Sequence, residues 1–269
     1  MRKLLAVIMQ AIELNNALIH FDVEYAEKSK PVLVFANSLG TDFRIWDKLR
    51  KTLSGHFTMV FHDKRGHGLS TLGNAPHRIE TYATDLAALI DHLGFKQVIA
   101  VGLSVGGLIV LGLYHARPEL VSKLVISNSA VKIGTHESWN ARIAKVQSDG
   151  IESIADNIMK VWFSPAFHAS HPEQVALSRT MMIRQNLDGY FAACEALREV
   201  DYTARAADIN VPALFIAGAQ DGSTPPALVE ASSKLLPDAQ FRMIQNCAHI
   251  PCVERPAELA KLLSEFAAS

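Results

Sequence analysis

The apolar positions of this chain fall into short continuous runs that alternate with stretches spaced at three and four residues. Runs at 31–36, 57–62, 97–103, 123–127, 213–218 and 240–244 have the length and β-branched content of buried strands. Between them, 43–53, 80–93, 226–235 and 256–266 carry helical spacing, with Asp42 as a cap before the first and Gly94 as a stop after the second. Upstream, 11–14 and 17–25 flank the turn-prone pair Asn15-Asn16, which predicts a hairpin of antiparallel strands. The pattern changes from 130 to about 200. No strand-like run occurs there, and four amphipathic segments stand near 139–148, 151–162, 172–185 and 190–199. Alternating strands and helices predict an α/β fold, a mostly parallel sheet with helices on both faces. Residues 1–130 and 201–269 then form the core, and 131–200 an inserted helical cap.

The most apolar stretch contains the sharpest chemical signal. Between Lys96 and Arg117 no charged side chain occurs, and Gly102-Leu-Ser-Val-Gly106 interrupts the run. A membrane span would need about 20 apolar residues in one helix, and clustered glycines beside a serine suit that poorly. A strand, a tight turn and a buried helix account for the same hydrophobicity. G-x-S-x-G in that context is a nucleophile elbow, which raises the Ser104 hydroxyl above the sheet edge at the N-terminus of a helix.

A serine nucleophile needs a base, and the base needs an orienting carboxylate. Asp221 follows the run 213–218 and His249 follows the run ending at 244, so both sit in loops just beyond strand ends, in the order Ser, Asp, His. An oxyanion hole requires two backbone donors. The N–H of Val105 follows the nucleophile, and the loop Asn37-Ser-Leu-Gly40 after the first buried strand offers the N–H of Leu39. Arg65 and His67 read as braces of their loop by hydrogen bonding. His62, Asp63 and His67 lack ligand spacing, so no metal is expected.

Composition narrows the setting. The chain has 269 residues, 49% of them hydrophobic and 20% charged, enough for one well-packed core. A net charge of −1 gives no support for nucleic-acid or anionic-membrane partners. Cys194, Cys247 and Cys252 are an odd number with no C-x-x-C pair, which suits reduced thiols. The first ten residues faintly imitate a secretory signal, but the apolar core is about six residues against the roughly 7–15 required. A cytoplasmic protein is expected, with those residues a leading strand or an upstream start extension. Monomer and homo-oligomer are both compatible with the sequence.

With these motifs in place, the chain resembles the α/β-hydrolase family over nearly its whole length. Within it, the likeness is to 3-oxoadipate enol-lactonases of the β-ketoadipate pathway of aromatic catabolism. That likeness is carried by Asn37-Ser-Leu-Gly-Thr41 with Trp46, by Asp63-Lys-Arg-Gly-His-Gly-Leu-Ser70, and by the elbow with Gly107. In the cap it is carried by Ile133-Gly-Thr135, Trp139-Asn-Ala-Arg142, Trp162-Phe-Ser-Pro-Ala-Phe167 and Gly189 to Arg198, and near the end by Ala217 to Pro226 and His249 to Pro256. The departures are the leader 1–9, Lys64, Arg184-Gln-Asn186, and Asn37-Ser38 where the family usually has His-Gly.

The resemblance implies an α/β-hydrolase fold and hydrolysis of a small enol-lactone bearing a carboxymethyl group, through an acyl-enzyme on Ser104 and without a cofactor. It also implies Trp139 as a wall of the pocket, with Arg142, Lys132 and Arg184 as candidates for the substrate carboxylate. Alternatives on the same fold are a carboxylesterase, a C–C-bond hydrolase of aromatic breakdown or a cofactor-free perhydrolase. From a different class comes a non-catalytic hydrolase-fold binding protein.

Overall fold

The structure, a computed structural model, describes residues 9–74 and 76–269. The expectation for the leader falls almost entirely outside them. Eight strands form one sheet: β1 (Gln10–Leu14), β2 (Ala17–Glu24), β3 (Val32–Ala36), β4 (Thr58–His62), β5 (Val98–Leu103), β6 (Val121–Ser127), β7 (Ala213–Gly218) and β8 (Ala239–Ile244). Their order is β1-β2-β4-β3-β5-β6-β7-β8. The β1–β2 and β2–β4 pairs are antiparallel, and the rest are parallel.

The hairpin turns on Asn15 and Asn16, both at positive φ (48° and 63°), with Leu14 paired to Ala17. Asparagine tolerates the left-handed backbone that a two-residue turn of this hand demands.

Every residue of β4, β5 and β7 is buried. Side chains alternate between the two faces of a strand, so total burial means both faces are covered. The covering helices are α1 (Asp47–Leu53), α2 (Ile79–His92), α3 (Val105–Ala116), α9 (Pro226–Ser233), α10 (Pro251–Glu254) and α11 (Pro256–Ala268). They pack in groups, α2 on α3 and α1 on α10 and α11. Edge strand β8 is wetter: Ala239 and Phe241 are half-buried, Gln240, Arg242 and Met243 are exposed, and only Ile244 is buried. Among the described residues no helix is long and apolar enough to cross a membrane.

Two expected elements differ in detail. The helix expected over 43–53 is a 3-10 turn, Phe43–Trp46, followed by α1. Asp42 accepts the Arg44 N–H through its carboxylate, which tightens the first turn. Between β6 and β7 the chain forms five α-helices rather than four: α4 (His136–Asp149), α5 (Glu152–Trp162), α6 (Pro165–Ser170), α7 (Pro172–Ile183) and α8 (Leu187–Glu199), followed by a 3-10 helix, Thr203–Asp208. The additional helix, α6, has Ser164 as its cap and proline at its start, within a stretch too short to show helical periodicity.

Strand order reverses between β3 and β5, since β4 lies on one side of β3 and β5 on the other. Such a reversal parts the connecting loops and opens a crevice beyond the carboxyl ends of the two strands. Ahead of that crevice, the loop after β4 is fixed by a buried ion pair. Arg65 donates to Asp85 from Nε (2.5 Å) and Nη2 (2.7 Å) and also to the carbonyls of Leu72 and Asn15. Arg65 therefore braces loop, hairpin and α2 together, as its loop position suggests. Removing one member of a buried pair strands the other charge at a cost of roughly 3–5 kcal/mol. Asp85→Ala is expected to lower the unfolding free energy by about that much in a urea titration; a loss under about 1 kcal/mol would mean that the pair does not hold the loop.

Candidate active site

Ser104 joins the end of β5 to the start of α3 with φ 57° and ψ −120°. A non-glycine residue there carries strain of order 1–3 kcal/mol and persists only where its surroundings dictate it. Here they do. A Cβ on Gly102 would lie 2.1 Å from the Gly106 carbonyl oxygen, and one on Gly106 would lie 2.0 Å from that of Ala36. Both flanks of the elbow therefore admit only glycine. The Ser104 N–H donates to the Ser127 carbonyl at 3.0 Å, and its own carbonyl accepts from Ser129 Oγ at 2.7 Å and the Gly107 N–H at 2.8 Å. The following helix is buried from Val105 through Tyr114.

Asp221 and His249 come from the turns after β7 and β8. His249 Nδ1 lies 2.8 Å from Asp221 Oδ2, and both side chains are buried. Asp221 is further held by the N–H groups of Ser223 (2.7 Å) and Thr224 (3.1 Å) on Oδ1, and by Thr224 Oγ1 (2.7 Å) and Asn128 Nδ2 (2.8 Å) on Oδ2. Burial works to raise the pKa of this carboxyl. The charge of His249 and the hydrogen bonds from His249, Asn128 and Thr224 outweigh it, and the net shift is downward. An ionised Asp221 can only accept, so Nδ1 carries the imidazole proton and Nε2 is left as a base.

The histidine turn is also tied to the inserted helices. The N–H groups of His249 and Ile250 both donate to the Trp162 carbonyl at the end of α5. The buried Glu254 carboxylate accepts from the Ala248 N–H at 2.9 Å and from Ser164, through its N–H and its hydroxyl.

Ser104 and His249 open into a cavity of about 280 Å³. Leu39 and Val105 have no hydrogen-bond acceptor for their N–H groups among the described residues; for Val105, the first residue of α3, none is available within the helix. Ser38 and Leu39 line the cavity beside Ser104. The far wall comes from the inserted helices, chiefly Trp139, Ile158, Trp162, Met182 and Leu197. Trp139 is locked by a 2.7 Å bond from Nε1 to the Ile133 carbonyl, and the Arg142 guanidinium lies 5.4 Å from its ring centroid. Arg142 is the one permanently charged side chain lining this cavity, and it has no carboxylate partner among the described residues.

The other two cationic candidates lie elsewhere. Lys132 is exposed and paired with Asp201 at 2.9 Å. Arg184 lines a different groove, with Phe43 and Met181. Residue type and position in the inserted segment could not separate the cavity-lining Arg142 from these two. Sequence reasoning also missed Asn128 and Thr224. Asn128 stands directly after β6 at positive φ (48°), and the strand-end rule that singled out Asp221 applies to it equally. No cluster of three or more metal-ligating side chains exists among the described residues.

A sheet whose order reverses at the elbow, a strained serine at that point, and an Asp–His pair from later strand ends together define an α/β-hydrolase. Comparison with known proteins agrees: the family model described as serine aminopeptidase, S33, matches residues 27–256, and the chain belongs to this α/β-hydrolase family. It is 33% identical over 232 residues to 3-oxoadipate enol-lactonase 2 of Acinetobacter baylyi, covering 86% of each chain. It is 29% identical over 243 residues to 3-oxoadipate enol-lactonase 1 of the same organism, covering 90% of each. Among solved structures it is similar to the enol-lactonase from Burkholderia xenovorans LB400, with a TM-score of 0.92, 29% identity, and coverage of 97% of this chain and 100% of that one.

Asn128 spans Asp221 and the Ala248 carbonyl (3.0 Å), so it sets the distance between the two turns. A hydrogen bond to a charged group is worth about 1.5–3 kcal/mol, and Ser223 and Thr224 still hold the carboxylate without it. In Asn128→Ala, kcat for a serine-dependent ester is expected to fall about tenfold with KM within about twofold, tenfold being about 1.4 kcal/mol. An unchanged kcat would show that Asn128 does not maintain the pair.

Proposed function

We propose that this protein hydrolyses a small enol-lactone bearing a carboxylate, the substrate being 3-oxoadipate enol-lactone and the product 3-oxoadipate. The observation that carries the reading is the single unpaired cation, Arg142, in the wall of a small, mostly apolar cavity that also holds Ser104 and His249. An apolar pocket with one charged group fixes the orientation of an anionic substrate of few atoms. Similarity to the enol-lactonases of Acinetobacter and Burkholderia supports the same substrate class.

In this reading Ser104 is the nucleophile, His249 the general base and Asp221 its orienting partner. Ser104 Oγ attacks the ring carbonyl carbon while His249 Nε2 takes its proton. The carbonyl oxygen becomes an oxyanion, held by the N–H groups of Leu39 and Val105. The ring C–O bond then breaks, and its electron pair leaves as an enolate that recovers the proton from Nε2. An enolate is a better leaving group than an alkoxide, so this step asks less of the acid than ordinary ester cleavage. Water, deprotonated by His249, attacks the acyl-serine and releases the second carboxylate, and the freed enol tautomerises to the ketone.

Arg142 pairs with the carboxylate already present, beside Trp139, and the segment 131–200 serves as the cap that keeps bulk water from the acyl-enzyme. The three cysteines are buried and unpaired, as suits a reducing, cytoplasmic setting.

Purified protein should remove the ultraviolet absorbance of 3-oxoadipate enol-lactone rapidly, with Ser104→Ala inactive. Arg142→Met should raise KM for that substrate about tenfold or more while leaving a neutral lactone within about twofold, since a desolvated ion pair to the carboxylate is lost. No loss of absorbance, alongside serine-dependent cleavage of simple esters, would replace the lactonase with a carboxylesterase. An unchanged KM in Arg142→Met would remove Arg142 from substrate binding.

A further inference from the structure

Lys64 is only 2% exposed, and among the described residues no carboxylate lies within ion-pair distance of it. Burying an ammonium group in this way is costly unless its hydrogen bonds are directed somewhere specific. They go to one place, the loop after β3. Lys64 Nζ donates to the Ser38 carbonyl at 2.6 Å and to the Thr41 carbonyl at 3.3 Å. Thr41 Oγ1 donates to the same Ser38 oxygen at 2.8 Å, and Asn37 Nδ2 to the Thr41 carbonyl at 3.0 Å.

The Ser38 carbonyl and the Leu39 N–H belong to one peptide group. There are no cis peptide bonds among the described residues, so that N–H points away from the carbonyl. With the oxygen turned to Lys64 in the interior, the N–H is turned toward the cavity that Ser38 and Leu39 line. We propose that Lys64 is a positioning residue for the oxyanion hole: its buried ammonium fixes the orientation of the Ser38–Leu39 peptide and polarises it, strengthening the Leu39 N–H as a donor to the transition state. The proposal rests on the reading of Ser104 as nucleophile and Leu39 as oxyanion donor. A hydrogen bond accepted at one end of an amide strengthens the one donated at the other, and a positive charge behind the peptide adds to the field felt by the developing oxyanion.

The charge state of Lys64 is adjustable. Burial lowers its pKa to about 7, against the opposing pull of the Asp63 and Asp42 carboxylates. The two histidines near it oppose its charge little, because both are held neutral by burial. His62 at the end of β4 falls to about 4, and His67 in the same loop falls well below its usual value. The ammonium form persists below the lysine pKa and is lost as pH rises through it, so polarisation of the peptide fades on the alkaline side.

The test uses p-nitrophenyl acetate, which needs an oxyanion hole but no carboxylate pocket. Wild type, Ser104→Ala and Lys64→Met are compared from pH 6 to 10, with circular dichroism to establish folding. Lys64→Met is expected to lose about tenfold or more in kcat with KM within about twofold. The wild-type kcat should decline on the alkaline side, and the variant should lack that decline. A kcat within twofold of wild type, or a variant that keeps the alkaline decline, overturns the proposal. Should Lys64→Met not fold, the wild-type profile decides, because a kcat that stays flat to pH 10 overturns it as well. Turnover that survives Ser104→Ala would remove the catalytic reading and the proposal with it, an outcome distinct from an inert Lys64→Met in a serine-dependent enzyme.

Discussion

The site depends on how closely α3 and β5 can approach at the turn between them. Carbonyl oxygens lie where Cβ atoms of residues 102 and 106 would stand, and this forces Ser104 into a backbone conformation that costs energy. The return on that strain is positional. A serine held there projects beyond the sheet edge, at the N-terminus of a helix whose first N–H groups have no intrahelical acceptor. Because β3 and β5 are neighbours whose connections run in opposite directions, the loop carrying Leu39 emerges beside the same serine. The candidate nucleophile and the expected oxyanion donors are thus placed by one packing contact and one reversal of strand order.

Around that contact the chain buries more polar groups than a core needs, and the hydrogen bonds of most of them can be traced. Asp221 accepts from four protein groups besides His249, Arg65 and Asp85 satisfy each other, and Lys64 is spent on two carbonyls. Glu254 joins the turn of His249 to Ser164 in the inserted helices, and the Trp162 carbonyl does the same from the backbone. A shift of the helices over the cavity would therefore be transmitted to the histidine turn. In a low-dielectric interior such networks are strong when complete and damaging when one member is lost, which gives the loops bearing the site a rigidity that loops on their own lack.

Much of this architecture was legible in the sequence because the signals were local. Continuous β-branched runs mark strands covered on both faces, and Asn15-Asn16 marks the hairpin. Glycines flanking a serine between a strand and a helix mark the elbow. Ser104, Asp221 and His249 share the property of standing just past a strand end, which a linear reading can detect. What the sequence hid depends on contacts between distant segments. Asn128 and Glu254 look like ordinary polar residues until the turns after β7 and β8 close on them. Arg142, Lys132 and Arg184 look alike as cations of the inserted segment, and only packing leaves the first unpaired in the cavity while pairing the second with Asp201. Lys64 stands out in the sequence only as a departure from the family pattern, and its near-complete burial shows only in the fold. The short helix α6 and the 3-10 turn at Phe43–Trp46 owe their form to caps rather than to periodicity.

The central claim is that the strained serine is a working nucleophile served by the buried Asp–His pair. It is tested most directly by adding a small organophosphonate in stoichiometric excess and measuring intact mass, followed by peptide mapping. The account predicts one adduct per chain, on Ser104, formed rapidly in wild type and at least about a hundredfold more slowly in His249→Ala, the scale on which a positioned general base contributes. No adduct, an adduct on another residue, or equal rates with and without His249 would contradict it.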